Sequence, residues 1–308
     1  MSFDRHHDRV QQKSVQKPDP AGIAGEYGNL PRLLAYGTGR VMQARTALTR
    51  AGIELSGPHT GRFTTGDFSA EVLLEPGDVI RLSCAAAIAE APRILLERCA
   101  GMPGNVRFAT AANHGRQLLA DTRVNGVAHL PESLRRIRVG FAQALALQAI
   151  DPPEAIPATS TSDALREAIR DAGWPKEDAV EAPDGYELHV LLEGTRSTVR
   201  VTAGPGSALA QRTLLHQLPD GEAGRAVAHQ ALACNARLRG CRLALASGRL
   251  RVESQLHEAQ LDGEWLSFTV RAVASVARSL EPVLQLLAQE PVFARAYTDM
   301  FDTGPEAS

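Results

Sequence analysis

Two stretches of this 308-residue chain, Cys99 to Phe108 and Cys234 to Leu243, read as one segment written twice. In each, a Leu/Ala-rich helical run reaches a Cys, crosses a Gly-containing turn and enters an Arg-apolar-Ala stretch: Arg107-Phe108-Ala109 in one, Arg242-Leu243-Ala244 in the other. With a two-residue insertion in the next turn, the register continues through Gly115-Arg116 and Gly248-Arg249. It then reaches Leu130-Pro131-Glu132-Ser133-Leu134 against Leu261-Asp262-Gly263-Glu264-Trp265-Leu266. Both copies close on a long helix of apolar periodicity. A repeat of this length builds two small domains and not a solenoid.

The repeat reaches back to the first helix of each half. Asn29 is placed to cap a helix with Pro31 in its first turn, carrying Leu33, Leu34, Val41, Ala44 and Leu48 and stopping at Ala51-Gly52-Ile53. Its counterpart begins after Asp163, carries Leu165, Ala168 and Ile169, and stops at Ala172-Gly173-Trp174. Gly after the last turn followed by an apolar residue is a left-handed helix end that folds the chain back onto the core. The segment 1–28 mixes Gln, Lys, Asp, His and Pro without apolar period and reads as a disordered tail. Three prolines and a hydroxyl run make 151–162 a linker, so the copies span 29–150 and 163–290, with an amphipathic segment at 291–308.

Within each copy, short alternating runs predict strands: Phe68 to Leu74 and Val79 to Ala86, then Tyr186 to Leu192, Thr198 to Thr202 and Ala208 to His216. Gly77-Asp78 and Gly194-Thr195 stand at hairpin turns. A short helix ending near Cys99 or Ala236 leads to a second hairpin, Val106 to Thr110 with Leu118 to Val124, or Cys241 to Ala246 with Leu250 to Gln255. Leu250-Arg251-Val252-Glu253 alternates strictly, which predicts one packed face and one face in water. The fold class is α+β, two homologous domains, each an antiparallel sheet covered by helices on one face. In the last helix Leu266, Val270, Val273, Ala277, Leu280, Leu284 and Leu287 form a stripe, and Pro282 is expected to kink or split it. After Pro291 a further amphipathic piece presents Val292, Phe293, Ala296, Tyr297 and Phe301.

This order of elements resembles the bacterial type III secretion chaperone superfamily. The likeness is strongest from Cys234 to Leu287, in the run Arg-Leu-Ala-Leu-Ala-Ser-Gly-Arg-Leu-Arg-Val-Glu that passes through an acidic turn into a long apolar helix. Members of that superfamily are small, acidic, single-domain homodimers that hold a partner protein in extended form on helix faces and a sheet edge. The resemblance implies the same use here: binding of another protein, an effector or secretion component. Two copies in one near-neutral chain imply an internal pseudo-dimer that leaves the protein monomeric.

Composition narrows the remaining classes. A net charge of -2 gives no global field toward nucleic acid or an anionic membrane. Basic charge is almost wholly Arg, a coding bias and not a phosphate signature. Cys84, Cys99, Cys234 and Cys241 have neither CxxC nor metal-ligand spacing and read as buried thiols in a reducing cytoplasm. The amino-terminal residues Asp4, His6, His7 and Asp8 do not fit a signal peptide, and no apolar run is long enough to span a membrane.

No catalytic set emerges. His6-His7 lacks a third ligand, His114 sits in a turn, and His216, His229 and His257 have no carboxylate at useful helical spacing. Gly37-Thr38-Gly39 lacks the third glycine and preceding strand of a dinucleotide site, and Gly204-Pro205-Gly206 is a turn. Arg135, Arg136 and Arg138 lie opposite the apolar face Leu134, Ile137, Phe141 and Leu145 and read as a solvated face. No catalytic, cofactor or metal residue is nominated, and the chain is expected not to be an enzyme. The candidate partner-binding residues are Val270, Val273, Ala277, Leu280, Phe293, Tyr297 and Phe301, the first four also serving as core. The competing reading is an enzyme or small-ligand binder with a pocket between the two domains.

Overall fold

The computed structural model describes residues 46, 48–50, 53–57, 59–65, 68–75, 79–85, 90–111, 115–123, 130–145 and 158–302. The tail, most of the first helix with its Gly37-Thr38-Gly39, the Gly77-Asp78 turn, His114 and the proline-rich 151–157 lie outside these residues. Residues 46 and 48–50 are helical, and Leu48 is fully buried in the core as its place on the apolar stripe requires. All the described residues belong to one compact unit, Ala44–Ser308.

The first half contains strands β1 (Ile53–Leu55), β2 (Thr60–Thr65), β3 (Phe68–Glu75) and β4 (Val79–Ala85), helix α1 (Pro92–Cys99), strands β5 (Arg107–Ala111) and β6 (Gly115–Arg123), and helix α2 (Leu130–Ala144). They form one antiparallel sheet in the order β1-β2-β3-β4-β6-β5. Alternation places Val72, Ile80, Leu82, Leu118 and Ala120 on one face, all buried. Helix α2 lies against β6, burying Leu134, Ile137 and Phe141 at i, i+3 and i+7.

The second half repeats this plan. Helix α3 (Ala158–Asp171) leads into β7 (Ala179–Ala182), β8 (Gly185–Leu192), β9 (Thr195–Gly204) and β10 (Ser207–Leu215). Helix α4 (Gly221–Asn235), β11 (Arg242–Ala246), β12 (Arg249–His257), α5 (Gly263–Gln289) and α6 (Pro291–Asp302) follow. The sheet order β7-β8-β9-β10-β12-β11 is that of the first sheet, strand for strand. Leu188, Val190, Val199, Val201, Ala208 and Val252 are buried beneath Leu266, Val270, Val273 and Ala277 of α5. Each such Leu or Val side chain withdrawn from water contributes on the order of 1.5–3 kcal/mol.

Local signals explain several boundaries. Helix α3 ends in a Schellman motif: Gly173 has φ +68, and the Trp174 N–H donates to the Ile169 carbonyl at 3.3 Å. Helix α5 opens with the Asp262 carboxylate accepting from the Trp265 N–H at 2.7 Å. Four expectations are corrected. Helix α3 starts at Ala158 and not after Asp163, because Pro157 ends the run of prolines before it and Thr161 is fully buried, its hydroxyl donating to Glu258 at 2.6 Å. Helix α5 runs through Pro282 without splitting, its stripe of buried residues continuing to Leu284 and Leu287. The turn insertion is one residue, since Ala111 pairs with Gly115 where Ala246 pairs with Arg249. Among the described residues each half also has six strands, because β1, β2 and β7 carry too little alternation to announce themselves.

Gly185, at the start of β8, has room for no side chain: a Cβ there would lie 1.9 Å from the Val201 carbonyl oxygen on β9. G185A is therefore expected to force the β8–β9 ladder apart and cost about 1–3 kcal/mol, read as a lower urea midpoint with an unchanged slope.

Candidate functional site

The two halves meet through exchanged elements. Helix α1 of the first half packs on β11 of the second, and α4 of the second packs on β5 of the first. At the centre are Arg107 and Arg242, the repeated arginines of the sequence, both buried. Arg107 pairs with Asp121 at 2.7 Å and donates to the carbonyls of Asn235 (2.9 Å) and Leu238 (2.6 Å) at the end of α4. Arg242 pairs with Glu253 at 2.7 Å and donates to the carbonyls of Met102 and Val106, beyond the end of α1. Each guanidinium thus takes a carboxylate from its own half and backbone carbonyls from the other. In the case of Arg107 these carbonyls lie at the negative end of the α4 dipole.

Asn235 stitches the junction along its length. Its amide donates to the Phe108 carbonyl (3.0 Å) and the Leu243 carbonyl (3.1 Å), and its oxygen accepts from the Leu243 N–H at 2.7 Å. Nearby, Asn105 accepts from the Gln255 N–H at 2.7 Å, and Gln255 accepts from the Gly104 N–H at 3.1 Å. The Arg239 guanidinium closes on Glu75 across the same seam. The predicted water face of β12 is corrected here: Glu253 is fully buried, because the other half covers the side of the sheet that alternation alone assigns to solvent.

Two clefts flank this seam. One, of about 80 Å³, lies between the β4 and β6 ends of the first half and the start of α5, with Asp121, Thr122, Gln260, Trp265, Phe268 and Ala272 in its wall. The other, of about 40 Å³, lies at the start of α2 with Ser133, Arg136 and His257, and shares Asn105, Asp121, Thr122, Gln255 and Gln260 with the first. Asp121 is unusual in this wall. One carboxylate oxygen takes Arg107 and the Gly240 N–H at 3.2 Å, while Oδ1 is shielded from solvent with no hydrogen-bond partner among the described residues. An acceptor left so costs about 1–3 kcal/mol. A broader depression of about 890 Å³ lies on the first sheet, lined by Arg62, Glu71, Leu73 and Arg81 among others.

The residues singled out in the sequence fall into three groups. Val270, Val273 and Ala277 are fully buried under the second sheet, and Leu280 is partly buried beside them, so this stripe is core. Tyr297 is half-buried and donates from its hydroxyl to Gln230 of α4 at 2.6 Å, while Phe293 is 55% exposed. Phe301 lies in the last turn of α6, its side chain outside the described set. Val283, Leu286, Val292 (79%) and Met300 (67%) join Phe293 as exposed apolar side chains on α5 and α6, and Leu191 (73%) and Val180 do so at the β7 side of the second sheet. The arginine cluster of α2 is engaged: Arg135 and Arg136 bond Glu132 at 2.7 and 3.2 Å. Partial burial pushes the Glu132 carboxyl up, yet these bonds prevail and hold it below the usual carboxylate range.

No model of a known protein family matches the chain, and no curated protein matches it. Among solved structures, one match is the Yersinia pestis type III secretion chaperone SycH in complex with a stable fragment of YscM2. It is 16% identical, with a TM-score of 0.27, and the match covers 39% of this chain and 98% of that one. Among the described residues no group of three or more His, Cys, Asp or Glu is placed to hold a metal, and no helix is long and apolar enough to cross a membrane.

Two predictions follow from the seam. R107M strands the Asp121 carboxylate and is expected to cost about 3–5 kcal/mol in urea unfolding, whereas R107M/D121L costs less than the sum of the single changes by at least about 1 kcal/mol. Burial pushes the thiols of Cys99 and Cys241 up to about 11 and about 12. At about pH 8 the Cys99 thiolate is then roughly one molecule in a thousand, and Cys241 still less. Iodoacetamide followed by peptide mass analysis should find both unmodified in the native protein and both labelled in urea.

Proposed function

We propose that this chain is a non-enzymatic polypeptide-binding protein, a tandem chaperone of the type III secretion kind whose two halves arose by duplication and serve as each other's dimer partner. One observation carries the reading: each half's short helix packs on the other half's end strand, α1 on β11 and α4 on β5. Chaperones of that kind pair with a second molecule, and in this reading each half supplies that pairing for the other within one chain. What remains outward suits an extended partner segment. Among the described residues no strand pairs with the outer edge of β7, which suits strand addition, with Val180 and Leu191 exposed beside it, and α5 and α6 present Val283, Leu286, Val292, Phe293 and Met300. Capture is passive in this reading: apolar side chains and unpaired backbone groups of the partner are covered, and no bond is made or broken. The partner is an effector or secretion component, and the setting is the cytoplasm.

The test joins mass and capture. Light scattering should give a monomer of 33.0 kDa. Tagged protein incubated with lysate of the native cell should retain a polypeptide, identified by mass spectrometry. F293D/M300D or V180P should lose it while keeping the wild-type circular dichroism. A stable dimer in dilute solution, or retention that survives both changes, overturns the proposal.

A further inference from the structure

Helix α5 lies on the second sheet through Leu266, Val270, Val273 and Ala277, and its opposite side faces away from that sheet. This outer side lacks the charges that a solvent face carries. Between Trp265 and Gln289 the charged side chains are Arg271, Arg278 and Glu281, and two of them turn to their own molecule, Arg278 to Glu193 at 3.0 Å and Glu281 to Arg212 at 3.0 Å. What the outer side presents instead is Phe268, Ser275, Ser279 and Leu286, at steps of seven, four and seven, with Val283 beside them. All five are exposed, Phe268 and Leu286 by 44% and 41%. A helix with two such sides is built to be covered on both.

The spacing says what fits. Steps of seven, four and seven are those of a coiled-coil seam, and they read the same in both directions about Ala277. A second copy of α5 laid antiparallel across that point sets Phe268 against Leu286 at each end and Ser275 against Ser279 in the middle. The small serines let the two backbones approach, and the bulky pairs close the ends. Antiparallel pairing also opposes the two helix dipoles and keeps Phe268 from crowding its own copy.

We propose that the outer side of α5 is a contact between two copies of this chain, each covering the other's α5 in antiparallel register. One helix pair covers less than the ~800 Å² per partner of a stable interface, so the dimer is transient, with a dissociation constant on the order of tens of micromolar, and the dilute protein is monomeric. The pair also covers Val283 and Leu286, which the polypeptide-binding reading gives to a partner, so self-association competes with capture. That competition rests on the reading; the pairing itself does not.

Sedimentation velocity should show monomer at about 1 µM and mostly dimer at about 200 µM, as such a dissociation constant requires. S279R, at the closest approach, and L286D, at the ends, should each hold the protein monomeric at the higher concentration with unchanged circular dichroism, and S279R decides where L286D disturbs the fold. S275C and S279C proteins oxidised together should form a disulfide-linked dimer that neither forms alone beyond the wild-type level. A monomer at every concentration, a dimer indifferent to both substitutions, or stronger cross-linking within S275C than between S275C and S279C overturns the contact. Capture from lysate in dilute solution reports the polypeptide-binding reading by itself, so either can fail alone.

Discussion

The structure depends on two guanidiniums that cannot shed their charge. Arg107 and Arg242 are buried, and an arginine withdrawn from water must find both an opposite charge and acceptors for its remaining N–H groups. Neither half alone supplies the full set. Asp121 and Glu253 provide the charge from within each half, but the carbonyls at Asn235 and Leu238, and at Met102 and Val106, come from the opposite one. Separating the halves would leave two carboxylate-paired arginines with their other donors facing an apolar surface or water. The interlock of α1 on β11 and α4 on β5 is thus held by directional bonds as well as by apolar burial. Directional bonds fix its register in a way that burial alone does not.

That requirement explains what was legible in the sequence. Periodicity found the elements whose pattern is local: the stripe of α5, the hairpins β8–β9 and β11–β12, and the Gly173 end of α3. Even the repeated arginines stood in plain view, at matched positions between apolar neighbours. Their burial was not legible, because arginine is ordinarily exposed and nothing in Arg242-Leu243-Ala244 says which side of the strand another half will cover. Glu253 shows the same limit. An alternating strand separates two faces, but period-2 patterning labels the polar one as solvent even where tertiary contact seals it. Asn235 and Asp121 escaped for a related reason, since their partners lie 127 residues away at Phe108 in the one case and 119 away at Gly240 in the other. A usable signal did exist: a charged residue recurring at the same place in both copies, flanked by core positions, marks a shared structural demand.

Placing both halves in one chain also changes what substitution can do. In a symmetric pair of identical chains every change appears on both sides of the axis, so a residue that improves one cleft alters the other equally. Here the matched positions differ. The Leu243 N–H is satisfied by Asn235, whereas the matching Phe108 N–H donates to the Cys99 sulfur at 3.3 Å, a weaker acceptor. The charge pairs differ as well: Arg242 faces Glu253 directly across the ladder, while Arg107 faces Leu119 and finds Asp121 two residues further along the strand. That shift leaves one Asp121 oxygen sealed from solvent with no hydrogen-bond partner among the described residues, whereas both Glu253 oxygens are bonded, one by Arg242 and the other by Arg251. The seam is alike in its logic and asymmetric in its detail: both arginines take a carboxylate from their own half and carbonyls from the other, but the carboxylate stands at a different ladder position in each, so the two ends of the junction need not be equally strong.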